Sequence, residues 1–562
     1  MSRRALQLEG RRYRYGFLAL QAGGAPRELA DTLLEADWRR RRLDDFDLWT
    51  HPETQAQSFP NGGATFVFLG DVFSEAGRSL ADWSASIGPD DDAALHEALD
   101  ELSGRFALLV VAGGRLRVYH DAFGSRAVYY HAARPAGVAS HAPLLAEAVG
   151  AGRDPEMASY IAHREFVRLP RKCLPGDGTL YTGIRGLIPN SYLEVETGEL
   201  HRYWPREPIA PTDLDAFMDK ATASVEALAG YVRGRYLPVF GVTGGADSRA
   251  AMAIFRMRDT PFETVTWSRK NLFSGETVII DDMVRHLGVR HAYAAKPKEA
   301  EDIGRLAAEN SGLYPPFRTL GPLRKRFKRR TDHVFVRGWG AEILRGFYNL
   351  HEAPMKALTA EDMTFAYSSP AWTDAAQKRT AERCFEGFAV RAGYGSLRLD
   401  GIDPNDLFYW EHRMGMWCPA ALNGFDTLMP TLVAFNGRKL FTAAWGLPAE
   451  QRLSKELMLE LARRGDPVLG AFPMALKPVK PERTRRAWEP RLGPPKPVKP
   501  ERAHPPKEPR HGAPERRVAA RTASAAPTAG STGSLPSRLK HALQWRLRRL
   551  LRKLKSPAPR KR

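Results

Sequence analysis

Thr243-Gly244-Gly245-Ala246-Asp247-Ser248 brings two glycines, two hydroxyls and a carboxylate into six residues. Paired glycines let backbone approach a bulky anion, and amides opening a helix aim their N–H groups and the positive end of the helix dipole at it. Asp247 adds an oxygen ligand for a hard cation. Together these residues suit a phosphate carried with a divalent ion. No Gly-Lys-Ser/Thr follows, so this is not a Walker-type loop. A turn capped by Asp247 or Ser248 is the plainer alternative, and it leaves the flanking apolar runs unexplained. A second set lies at Arg337-Gly338-Trp339-Gly340-Ala341-Glu342-Ile343-Leu344-Arg345-Gly346-Phe347-Tyr348, again with a carboxylate shortly after glycines.

Both sets need positioning elements, and the sequence offers them. Short apolar runs at 236–242, 262–267, 290–294 and 333–337 read as strands, separated by helical patterns at 248–258, 276–287 and 299–309, after a helix at 213–232. This alternation predicts a parallel sheet covered on both faces, with ligands at the carboxyl ends of its strands. The region 350–476 reads as helical. Residues from about 11 to 203 are β-rich, with runs at 64–69, 106–111, 116–120 and 127–131, an Asp-x-x-Gly turn at Asp121–Gly124, and a first strand beginning near Tyr13.

The first set resembles the Ser-Gly-Gly-x-Asp-Ser pyrophosphate loop of the ATP pyrophosphatase families, with Thr243 in the leading place. Segment 337–348 is similar, without gaps, to the asparagine synthetase segment Ser-Gly-Glu-Gly-Ser-Asp-Glu-Val-Phe-Gly-Gly-Tyr. The order Gly-Arg-Phe-Ala, then Asp-x-Phe-Gly-Ser-Arg, resembles the glutaminase half of that glutamine-hydrolysing family. The resemblance implies an α/β and α+β chain. Residues 1–205 would form an N-terminal-nucleophile (Ntn) hydrolase-like β sandwich of the type 2 glutamine amidotransferase kind, and 206–476 a parallel-sheet ATP pyrophosphatase domain (adenine nucleotide α-hydrolase-like).

The same resemblance implies ATP and Mg²⁺ as cofactors. Thr243, Gly244, Gly245 and Ser248 would hold pyrophosphate, Asp247 and Glu342 the metal, and Val242, Arg337 and Gly338 would border the adenylate. Tyr348 fits either an acid–base or positioning role or a core tyrosine. Lys455, in Ser454-Lys455-Glu456-Leu457, fits either a leaving-group lysine or a surface one. Looser matches run through 410–416, 426–430 and Asn436. The implied reaction adenylates a small-molecule or peptide carboxylate, releases pyrophosphate and forms an amide.

Departures from the family pattern matter. Ser2 stands where its glutaminase needs cysteine, and Leu69-Gly70 stands where Asn-Gly supplies oxyanion donors. Leucine has no such donor, and losing one costs about 10²–10³ in rate. Ammonia or an amine is therefore the expected nitrogen donor, with a Ser2 hydrolase as the lesser alternative. Trp339 takes the place of the glutamate that serves amine attack, and Arg345 replaces an apolar residue. These changes keep open a non-catalytic ATP- or partner-binding protein.

Charge divides the chain of 562 residues. Segment 477–562 holds 9 Lys and 16 Arg against 5 Glu, which equals the whole chain's net +20 and leaves the body neutral. With 15 of 42 prolines and the repeat KPVKPER at 477–483 and 496–502, this tail reads as disordered. Within it, Leu539, Leu543, Leu547, Leu550, Leu551 and Leu554 predict a basic amphipathic helix at 537–555. Such a helix suits an anionic membrane surface, nucleic acid, a partner groove or the protein's own surface. Three cysteines without CxxC spacing fit a reducing cytoplasm, with peripheral membrane attachment through the tail left open.

Overall fold

Strands β1 (Phe17–Gln21), β2 (Arg39–Leu43), β3 (Phe46–Thr50), β4 (Ala56–Asn61), β5 (Ala64–Ser74), β6 (Leu102–Ala112), β7 (Arg115–His120), β8 (Tyr129–His131), β9 (Gly137–Ala139), β10 (Ile184–Gly186), β11 (Ser191–Glu194) and β12 (Glu199–Arg202) build two antiparallel sheets in the computed structural model. Their orders are β10-β8-β9-β1-β3-β2 and β12-β11-β7-β6-β5-β4. The structure describes residues 10–88, 91–133, 137–168, 173–267, 274–294, 301–312, 323, 326–327, 332–348, 355–368, 374–454 and 456–474. Ser2, Lys455 and the tail 477–562, with its expected helix at 537–555, lie outside the described residues.

Side-chain alternation joins the two sheets. Phe17, Ala19 and Leu48 of one meet Val67, Leu69, Leu109 and Val118 of the other, all at 2% exposure or less. The intervening residues Phe66, Phe68, Phe106 and Leu108 face a second core that includes Trp83. Both faces of β5 and β6 are therefore covered, which accounts for their near-continuous apolar sequences. Strand β1 starts at Phe17 rather than near Tyr13. Tyr13 and Tyr15 hold φ of 53° and 58°, left-handed values that a strand cannot contain.

After the helix Leu214–Val232, strands β13 (Leu237–Gly241), β14 (Glu263–Trp267), β15 (His291–Ala294), β16 (His333–Arg337) and β17 (Thr431–Val433) form a parallel sheet ordered β15-β14-β13-β16-β17. Helices Asp247–Met257, Ser274–Leu287 and Glu301–Asn310 connect its first members. All five residues of β16 are buried, as a strand covered on both faces requires. The reading of 350–476 as wholly helical missed β17. It is three residues long, inside the apolar stretch 428–435, and gives no period to detect.

Residues 10–474 belong to one compact unit. Arg105, 4% exposed, forms two 2.7 Å contacts to the fully buried Asp426. Arg202 grips Glu411 in the same bidentate way, again at 2.7 Å. Trp410 Nε1 donates to the carbonyl of Ala122, and Asn436 accepts from Phe123 N and donates to Asp121. Segments 410–416 and 426–436 thus tie the sandwich to the parallel-sheet region. Among the described residues, no helix is long and apolar enough to cross a membrane.

Candidate functional site

The strand order reverses between β13 and β16, because β14 and β15 lie on one side of β13 while β16 and β17 lie on the other. Open parallel sheets bind ligands at such a point, outside the carboxyl ends of the strands. Both glycine-containing loops emerge there, one after β13 and one after β16.

They touch through backbone. A Cβ on Gly338 would meet Ser248 N at 2.5 Å and the carbonyl carbon of Asp247 at 2.7 Å. Gly340 has φ +91°, and a Cβ there would fall 1.8 Å from the carbonyl oxygen of Phe435. A side chain at Gly338 would force the second loop away from the first, and one at Gly340 would force it away from Phe435. Ala434 N donates to Arg337 O at 2.8 Å, and Trp445 Nε1 donates to Ile343 O at 3.2 Å, fixing the short helix Ala341–Leu344 behind the loop.

Across this seam stand Asp247 and Glu342. Arg345 Nη2 donates to Asp247 Oδ2 at 3.0 Å. Burial raises the pKa of Asp247, with Arg345 opposing. Burial, then the neighbouring Asp247 charge, pushes Glu342 up to about 7, again with Arg345 opposing. The two acids hold the Arg345 guanidinium above its ordinary value in spite of burial. Glu342 Oε2 is buried and, among the described residues, makes no hydrogen bond. Two mutually repelling carboxylates with an unsatisfied oxygen are a donor set that fits a hard divalent cation.

The first loop is internally braced. Gly244 N donates to Glu276 Oε1 at 3.1 Å, and Gly245 N to Thr243 Oγ1 at 3.2 Å. Arg249, fully buried, donates to the carbonyls of Gly244 (3.2 Å), Pro473 (3.3 Å) and Phe472. Burial lowers its pKa to about 10. Val242 is 1% exposed, with N bonded to Val265 O at 2.9 Å and O accepting from Thr266 at 2.8 Å. It is part of the sheet floor rather than of the open loop.

Comparison with known protein families returns no match, and comparison with curated proteins returns none either.

The remaining expected residues divide. Gly244, Gly245, Asp247, Ser248, Gly338 and Glu342 come together, and Thr243 is exposed at the loop edge. Arg337 is buried, with its guanidinium 4.4 Å from the Trp339 ring, 4.6 Å from Phe425 and 5.0 Å from Phe335, so its charge lies within an aromatic cage. Tyr348 is 2% exposed and packs with Phe347, Phe408 and Tyr409, which corresponds to the core alternative. Lys455 is outside the described residues.

Sequence reasoning did not reach Arg249, Glu276 or Trp417. Trp417 lies 5.4 Å from Trp339 and is covered by Arg413 at 4.2 Å, both on the π-helical turn Tyr409–Trp417. Arg337 and Arg413 thus bracket the paired rings of Trp339 and Trp417 beside the second loop. No motif marks Glu276 or Trp417, because they meet the two loops from elements distant in sequence. Leu69, where the resemblance would place an oxyanion donor, is fully buried between the sheets.

Proposed function

We propose that this chain is an asparagine-synthetase-like, ATP-dependent ligase that adenylates a carboxylate and passes the acyl group to ammonia or an amine, without hydrolysing glutamine. The observation that carries the reading is the backbone contact of Gly338 with Asp247 and Ser248 at the reversal of strand order, with Asp247 and Glu342 across the seam. In this reading residues 10–205 are a sandwich of the Ntn-hydrolase type, and the parallel sheet belongs to an ATP pyrophosphatase domain.

The departing phosphates would be taken by the start of the helix Asp247–Met257 and by loop amides released from their partners, Gly244 N from Glu276 and Gly245 N from Thr243. Asp247 and Glu342 would hold Mg²⁺, whose chemistry is to offset triphosphate charge and polarise the α-phosphate. A substrate carboxylate oxygen attacks the α-phosphorus and the bond to the β-phosphate oxygen breaks, giving an acyl-adenylate and pyrophosphate. A neutral amine then attacks the acyl carbon, losing a proton as AMP leaves. Trp339, where the family has a glutamate, gives the acceptor side an apolar wall that suits an amine less polar than ammonia.

A second reading, nucleotide binding without chemistry, is favoured by the Arg345–Asp247 contact. Product analysis separates the two. Incubation with ATP, pooled carboxylates and ammonium or amines should give AMP and pyrophosphate; binding of ATP with neither product under any pool leaves the second reading. We further infer that the tail 477–562 meets an anionic surface. The leucine spacing at 537–555 favours a membrane, and binding to liposomes but not DNA, weakening with salt, is the expected result.

A further inference from the structure

Two side chains that reach the proposed nucleotide loop from outside it carry the charges of the groups it would bind. Glu276 sits in the first turn of the helix Ser274–Leu287, which follows β14, and its Oε1 accepts from Gly244 N at 3.1 Å. That N–H is a donor the loop would turn toward a phosphate oxygen. Arg345 lies just past the short helix Ala341–Leu344, and its Nη2 donates to Asp247 Oδ2 at 3.0 Å. That oxygen is one a divalent cation would need. Neither partner is a neighbour in sequence, and each enters from a separate strand-to-helix connection.

We propose that Glu276 and Arg345 are internal competitors, the first for the nucleotide phosphates at Gly244 and the second for the divalent cation at Asp247. This rests on the ATP reading and assigns two further residues to the same site. One N–H cannot serve a carboxylate and a phosphate together at full strength, and the two anions repel at contact distance. A guanidinium and a divalent cation exclude each other from one carboxylate oxygen on the same grounds. Binding of MgATP therefore displaces both side chains, and the site responds to nucleotide and metal only above thresholds they set.

Neither residue is needed to hold its element. The helix of Glu276 is anchored by buried Ile279, Ile280 and Met283, and Arg345 follows the buried Ile343 and Leu344. Glu276→Gln and Arg345→Met can therefore be studied in the full chain, with thermal unfolding as the check on folding.

Calorimetric titration of ATP at fixed Mg²⁺, and of Mg²⁺ at fixed ATP, tests the idea without a turnover assay. Glu276→Gln is expected to tighten ATP about tenfold with little change in the Mg²⁺ midpoint, and Arg345→Met to lower the Mg²⁺ midpoint about tenfold. Binding by the double variant where the wild-type chain binds weakly or not at all would also support competition. Unchanged or weaker binding in folded variants of a chain that binds ATP overturns the inference and leaves the ATP reading standing. No binding by any of the four proteins, each folded, overturns both.

Discussion

A methyl group on Gly338 would stand 2.5 Å from the backbone nitrogen of Ser248. The two loops proposed to share one nucleotide are thus in van der Waals contact through backbone, and only glycine permits it. Gly338→Ala must shift one loop, since the obstructing atoms are main chain. The expected cost is about 1–3 kcal/mol of stability, typical of overpacking. ATP affinity, measured by calorimetry on the folded variant, should drop at least tenfold, whereas Gly395→Ala, which meets nothing within 4 Å, serves as the control.

Arg105 and Asp426 join the sandwich to the parallel-sheet region with both charges buried. Asp426→Asn leaves the guanidinium without its countercharge and should destabilise by about 3–5 kcal/mol in urea unfolding. The paired change Arg105→Met with Asp426→Leu should cost less than the sum of the single changes, because neither charge is then stranded. Additive losses would contradict a direct pairing.

Arg249 ties the loop carbonyl of Gly244 to the carbonyls of Phe472 and Pro473. Arg249→Met keeps much of the stem and removes the donors, leaving buried carbonyls unsatisfied at a cost of about 1–3 kcal/mol. Limited proteolysis should then cut near 472–474 faster than in the wild-type chain, and ATP should bind more weakly. Unchanged proteolysis would remove the tie between the loop and that segment.

His412 gives a pH signature. It is fully buried, stacked on Phe408 at 4.9 Å, and burial lowers its pKa to about 3. The unfolded chain takes up this proton near pH 6.5 and the folded chain does not. The neutral ring therefore contributes stability that is present above pH 6.5 and lost as pH falls toward 3. His412→Phe should lose stability at pH 8 through the missing bond to Leu174 O, and gain on the wild type by about 1.4 kcal/mol per pH unit between pH 6 and 4. Parallel stability curves for the two proteins would contradict this.

Sequence patterning reached the regular parts of the chain. Strands β13 to β16 and their helices were legible because buried parallel strands and amphipathic helices leave strong local periods, and His333–Arg337 matches at both ends. The Gly-Gly loop was legible because its glycines, hydroxyl and helix start are contiguous. Glu276 and Trp417 were not, since nothing local distinguishes them from a surface Glu or a core Trp, and Arg249, although it directly follows the loop, finds its partners Phe472 and Pro473 223 and 224 residues on. Strand β17 was too short to register. Asp426 and Asn436, grouped by sequence with the site motifs, bond the sandwich instead, a role that only the three-dimensional arrangement reveals.

The most direct test of the adenylation account is ATP–pyrophosphate exchange, screened over carboxylate pools with Mg²⁺ present. Label from pyrophosphate should enter ATP in the wild-type chain with at least one pool, and exchange should vanish in Asp247→Ala and fall sharply in Gly338→Ala. Absence of exchange with every pool, in a wild-type chain that binds ATP, would contradict it; so would exchange that survives Asp247→Ala unchanged.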